Sequence, residues 1–169
     1  LLALMMGFVG WVFLVWVPSR PGSGPRRAAV LPDTLEVAFR KAQASATNIF
    51  QYVLTIDGDG AAVELHDLAN GRHFAGPRKE IDGKLTAALA RSIRETGFFT
   101  LSRQYVGQSP DSYDLLDISV TIGAQTHRAT VLNAPEPAEF EAVRKALEEF
   151  GYNEFGLAAW AYSREELVK

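Results

Sequence analysis

The sequence predicts an α+β protein: one N-terminal transmembrane helix, then a small soluble domain of antiparallel hairpins with helices packed on one face. Three observations lead there. Residues 1–17 are uniformly apolar. Two later stretches alternate apolar and polar residues around Asp-Gly or Gly-Ala turns, the mark of half-buried antiparallel strands. Between and after them lie segments with apolar residues three and four apart, the mark of amphipathic helices. The expected divisions are a transmembrane helix at 1–17, a Pro/Gly/Arg linker at 18–30, and a soluble α+β domain at 31–169.

The run LLALMMGFVGWVFLVWV carries no charge. At about 1.5 Å per residue it reaches roughly 25 Å, a little short of a hydrocarbon core of about 30 Å. The chain begins with Leu1, so the helix is expected to start a few residues earlier. A cleaved secretory signal is the rival reading, but Val15-Trp16-Val17-Pro18 lacks the small residues of a cleavage site. Trp16 and Arg20 fall where a membrane interface places aromatic and basic side chains. Ala3, Gly7 and Gly10 share one helical face on which another helix can approach closely. Pro18 to Val30 reads as an extended linker.

In the domain, Pro32-Asp33-Thr34 opens a predicted helix with Leu35, Ala38, Phe39 and Ala42 as its apolar stripe. Residues 49–57 alternate as a strand. Asp57-Gly58-Asp59-Gly60 then turns the chain, because Asp-Gly tolerates the positive φ of tight hairpins. Ala61 to Leu68 returns as a second strand, and Asn70-Gly71 turns into a short third one at Arg72–Ala75. Pro77 to Gly83 is a loop. Residues 84–96 form a helix with Leu85, Ala88, Leu89 and Ile93 inward, ended by Gly97. Phe98, Phe99 and Leu101 follow as an apolar segment, and Val106 to Asp114 is a polar loop. Leu116, Ile118, Val120 and Ile122 alternate, Gly123-Ala124 turns, and Gln125 to Leu132 completes a hairpin. Pro137 leads a helix with Phe140, Val143, Leu147 and Phe150 inward and Gly151 as its cap. The aromatic tail Phe155 to Tyr162 offers Phe155, Trp160 and Tyr162 for partner docking, before a short polar helix at Ser163–Val168.

The YVLTIDGDG hairpin, the helix ending in Gly97-Phe98-Phe99, Tyr105, and the ISVTIG hairpin with its His127 before a proline-led helix resemble a family of small bacterial envelope α+β domains of unknown function. The resemblance spans about Tyr52 to Phe150. It implies the fold and an envelope location, and no activity. Such domains often carry a cysteine pair before the first strand. This chain has no cysteine, so nothing attached to that pair carries over.

Composition narrows the chemistry. Seventeen Lys and Arg against twenty Asp and Glu leave a slight negative charge, with no basic surplus for nucleic acid. The absence of cysteine removes disulfides, thiolate metal sites and cysteine nucleophiles. His66, His73 and His127 do not stand at the i, i+4 spacing of a helical metal pair, and His127 reads as exposed on its hairpin. Asp57 and Asp59 begin like a calcium loop, but Ala61, Ala62 and Leu68 stand where the loop needs further ligands. Asp111, Asp114 and Asp117 gather around Ser109 and Ser112 with no framing base. No catalytic, metal or cofactor-binding residue is therefore assigned. Lipid or pigment contacts to the apolar helix are the only cofactor-like contacts expected.

Three functions fit. The first is a non-catalytic accessory subunit of a larger integral-membrane complex of respiratory or photosynthetic type, with other membrane subunits and the lipid bilayer as partners. The second is a stand-alone membrane-tethered module for a ligand or peptide. The third is a membrane-anchored hydrolase using the 109–117 acids. The expected address is the bacterial inner membrane, single-pass. Arg20, Arg26 and Arg27 argue for a cytoplasmic domain under the positive-inside rule, but the Pro/Gly linker and the family resemblance argue for an extracytoplasmic one, which is the side expected.

Overall fold

Leu35, Val37 and Phe39 are buried while Glu36 and Ala38 are exposed, a two-residue period that makes Leu35–Ala44 a strand, β1. The expected helix over this stretch is thereby corrected. Its stripe of Leu35, Ala38, Phe39 and Ala42 leaves out Val37, which a helix would turn nearly opposite to Leu35. Pairing on both sides settles the competition. β1 lies between β2 (Ile49–Asp57) and β7 (Tyr113–Ile122), antiparallel to each, and is the centre of the sheet.

The computed structural model describes residues 34–44, 49–109 and 113–156. All belong to one compact unit, Leu31–Lys169. The remaining elements are β3 (Gly60–Asp67), β4 (Arg72–Ala75), β5 (Lys79–Glu80), α1 (Gly83–Glu95), β6 (Gln104–Val106), β8 (Gln125–Leu132) and α2 (Ala138–Phe155). The strands form one sheet in the order β4-β3-β2-β1-β7-β8-β6, with β5 also on β3. Every pairing is antiparallel except β6 on β8, which is parallel.

This corrects the expected fold class. The expected antiparallel hairpins are instead parts of one mixed eight-stranded sheet with two helices. Among the described residues no helix is long and apolar enough to cross a membrane. The segment Leu1–Val17, with Ala3, Gly7, Gly10 and Trp16, lies outside the described residues, as do the linker with Arg20, and Trp160, Tyr162 and Ser163–Val168.

One face of the sheet carries the core. Leu35, Val37 and Phe39 meet Leu54, Ile56, Val63, Ile118, Val120, Ile122, Ala129 and Val131, and both helices contribute to the same cluster. α2 supplies Phe140, Val143, Leu147 and Phe150, as its stripe predicts. α1 buries Thr86, Leu89, Ala90 and Ile93. Leu85 and Ala88, expected inward, are exposed. The i, i+3, i+4, i+7 set starting at Thr86 wins because it keeps Leu89 and Ile93 while adding Ala90. Asp82 caps α1 by accepting from the Lys84 amide at 2.8 Å. Gly97 ends α1 with φ of 83°, and Phe98 follows, fully buried.

Other boundaries shift. The expected loop at 77–83 contains β5, which extends the sheet on β3. β7 begins at Tyr113, inside the expected polar loop. Gly151 does not end α2: it is buried within the helix, which runs to a cap at Gly156 with φ of 69°. Lys41 bonds Glu148 at 3.1 Å and ties β1 to α2.

Candidate functional site

The opposite face of the sheet holds the candidate site. Strand alternation and register assemble side chains there that are far apart in sequence. One row runs Glu64, Val53, Arg40, Asp117, Thr130 and Gln104 across six strands. The next row runs His73, His66, Gln51, Ala42, Leu115, Leu132 and Val106. Two polar clusters stand out.

The first is Glu64, His66 and His73. His66 on β3 faces His73 on β4. The turn between them is fixed by buried Asp67, whose Oδ1 accepts from the Ala69 and Asn70 amides at 3.0 and 3.1 Å. Its Oδ2 accepts from the Asn70 side chain at 2.6 Å. The two imidazoles stack with centroids 4.3 Å apart and planes 20° apart. Both Nε2 atoms contact the same Glu64 oxygen, Oε2, at 3.1 Å from His66 and 3.0 Å from His73. The hydrogen bond from His73 holds the Glu64 carboxyl below its ordinary range, partial burial opposes this, and His66 adds to the lowering. Helical spacing between histidines is irrelevant here because the pair forms across a hairpin.

The second cluster is centred on Asp117, buried on β7. Arg128 grips it in a fork, Nε to Oδ1 at 2.9 Å and Nη2 to Oδ2 at 2.8 Å. Thr130 donates to Oδ1 at 2.7 Å. Bidentate charge-assisted pairs of this kind are strong and fix orientation. Asp117 is thus committed to neighbours. Asp114 lies exposed at the start of β7, and Asp111 lies outside the described residues.

Beside this cluster, among the described residues, no strand pairs with the first part of β8. β6 covers only the last part of β8, pairing with Thr130, Val131 and Leu132. The Thr130 amide donates to Arg103 O at 3.0 Å. The two-residue period points the backbone groups of Arg128 and Thr126 the same way, past the start of β6. A cleft of about 550 Å³ lies there, lined by Arg103, Gln104, Ser119, Thr126, His127, Arg128 and Thr130. His127 is not exposed as expected. It lies on the helix-bearing side of β8 with its ring edge-on to Phe98 at 5.3 Å, and its Nε2 is buried without a hydrogen-bond partner.

The remaining sequence candidates fall elsewhere. Asp57 is held by Arg78 through Nη1 at 2.8 Å and through Nη2, so the 57–60 segment is a turn pinned by an ion pair. That pairing lowers the Asp57 carboxyl. Phe155 closes α2 half-buried against the core. Compared with family models and with curated proteins, the chain matches none.

Proposed function

We propose that this chain is an accessory subunit of a larger membrane protein complex, and that the open edge of β8 holds an extended, acidic segment of a neighbouring subunit. The observation that carries the reading is the cleft along β8, where, among the described residues, no strand pairs with the backbone before Thr130 and Arg103 and Arg128 line the edge. An exposed strand edge is a template for another strand, with main-chain bonds giving affinity and side-chain pockets giving specificity. Arg103 favours an acidic occupant, while Arg128 is paired with Asp117. The apolar sequence Leu1–Val17 supports a membrane location. The role is binding; in a respiratory or photosynthetic assembly, other subunits would carry the cofactors.

A photo-crosslinking residue at Thr126, in the full chain in its native membranes, tests this. The expected result is one product of defined mass that co-purifies in detergent and is lost in R103E. No product, or a product undiminished in R103E, overturns it. A monomeric protein that captures free acidic peptides would instead favour a stand-alone membrane-tethered peptide-binding module.

A further inference from the structure

The β3–β4 hairpin gathers a donor set that the proposed partner docking does not use. Glu64, His66 and His73 each offer one ligand atom, and these atoms all lie within 4.8 Å of one another. It is the one such group among the described residues. We propose that Glu64, His66 and His73 form a binding site for a divalent transition-metal ion of the zinc type.

Spacing supports the assignment. Zinc binds imidazole nitrogen at about 2.0–2.1 Å and carboxylate oxygen at about 2.0–2.2 Å, which puts two donors of a tetrahedral site roughly 3.3 Å apart. Glu64 Oε2 already stands 3.1 and 3.0 Å from the two imidazole nitrogens. The Glu64 carboxylate would swing aside to admit an ion among these donors. The stacked imidazoles present both Nε2 atoms toward the same point.

Donor chemistry narrows the ion. Two imidazoles and one carboxylate suit zinc, cobalt, nickel or copper, whereas calcium and magnesium take oxygen donors. The scaffold is built for repeatable geometry: paired strands hold both histidines, and Asp67 fixes the turn that sets their register. All three side chains are partly exposed, at 40%, 27% and 49% for Glu64, His66 and His73, so an ion can enter from solvent. Three protein ligands leave at least one coordination position for water or another donor.

The test uses the full chain in detergent, stripped of metal with a chelator and titrated with zinc chloride by calorimetry. The expected result at pH 7.5 is one equivalent bound. Affinity should fall as pH is lowered, because protons compete with the metal for its ligands. H66N and H73N should each abolish stoichiometric binding, and E64Q should weaken it. Cobalt(II) added to the unmutated chain should shift the ring protons of two of the three histidines, and His127 should be unaffected. No stoichiometric binding overturns the proposal, as does binding retained in H66N and H73N or cobalt shifts confined to His127. The cobalt measurement holds even if a variant fails to fold.

Discussion

The pair Val37 and Ala38 separates a strand from a helix at the centre of the fold. In β1, Val37 is 3% exposed and packs with Leu35 and Phe39, while Ala38 points to the open face. A helix over the same residues would bury Ala38 and release Val37. Val37→Ala removes two buried carbon groups, worth about 0.8 kcal/mol each in transfer free energy. The cavity left in a centre strand raises the total to about 2–3 kcal/mol. Ala38→Lys adds a polar stem on the solvent side and should stay within about 0.5 kcal/mol of the parent. Urea unfolding of the two variants, followed by circular dichroism, gives both numbers in one experiment. An Ala38→Lys loss equal to or greater than that of Val37→Ala would refute the strand and the sheet order built on it.

Other expectations follow from single features. Gly97→Ala places a side chain on a residue at φ of 83° and should cost about 1 kcal/mol, read from the unfolding midpoint. Gly107 has no room for a Cβ, which would fall 1.9 Å from the Asn133 carbonyl oxygen. Gly107→Ala should therefore detach β6, seen as faster amide exchange at Thr130. Asp117→Ala leaves Thr130 without its acceptor and Arg128 without its fork. A loss of about 1–3 kcal/mol is expected, toward the low end because Arg128 can turn to water. Glu64 has a lowered carboxyl in the fold, so it stabilises above its unfolded pKa of about 4.3 and loses that contribution as pH falls through the lower folded value. Glu64→Gln should therefore lower stability mainly above about pH 4.5 and flatten the acid limb, its profile converging on that of the parent as pH falls.

What could be read from the chain depended on how local each signal was. The hairpins around Gly58 and Gly123 announce themselves through turn chemistry and strict alternation, and α2 through Phe140, Val143, Leu147 and Phe150. β1 was hidden because LEVAFRKA satisfies both periods, and only its two sheet neighbours decide between them. β5 and β6 are two and three residues long, too short for any period to register. The Glu64–His66–His73 cluster had a usable signal. The hairpin is centred between Ala69 and Asn70, so His66 and His73 face each other across the four-residue turn Leu68–Gly71, whereas taking Asn70-Gly71 alone as the turn pairs His73 with Leu68. A search limited to helical ligand spacing passes over that symmetry. The cleft beside β8 could not be read, because it depends on where a parallel strand stops.

That short parallel strand has a kinetic meaning. β6 precedes β7 and β8 in the chain, yet it takes its place outside β8. It can dock only after the β7–β8 hairpin exists. Its flanking backbone bonds include Thr130 N to Arg103 O and Gly107 N to Leu132 O. A piece added last over so few bonds is the cheapest to undo, and local opening follows such weak points. Each release would lengthen the bare margin of β8 by Thr130, Val131 and Leu132. The strand thus covers three of the eight residues of β8 and is the part of that edge expected to open first.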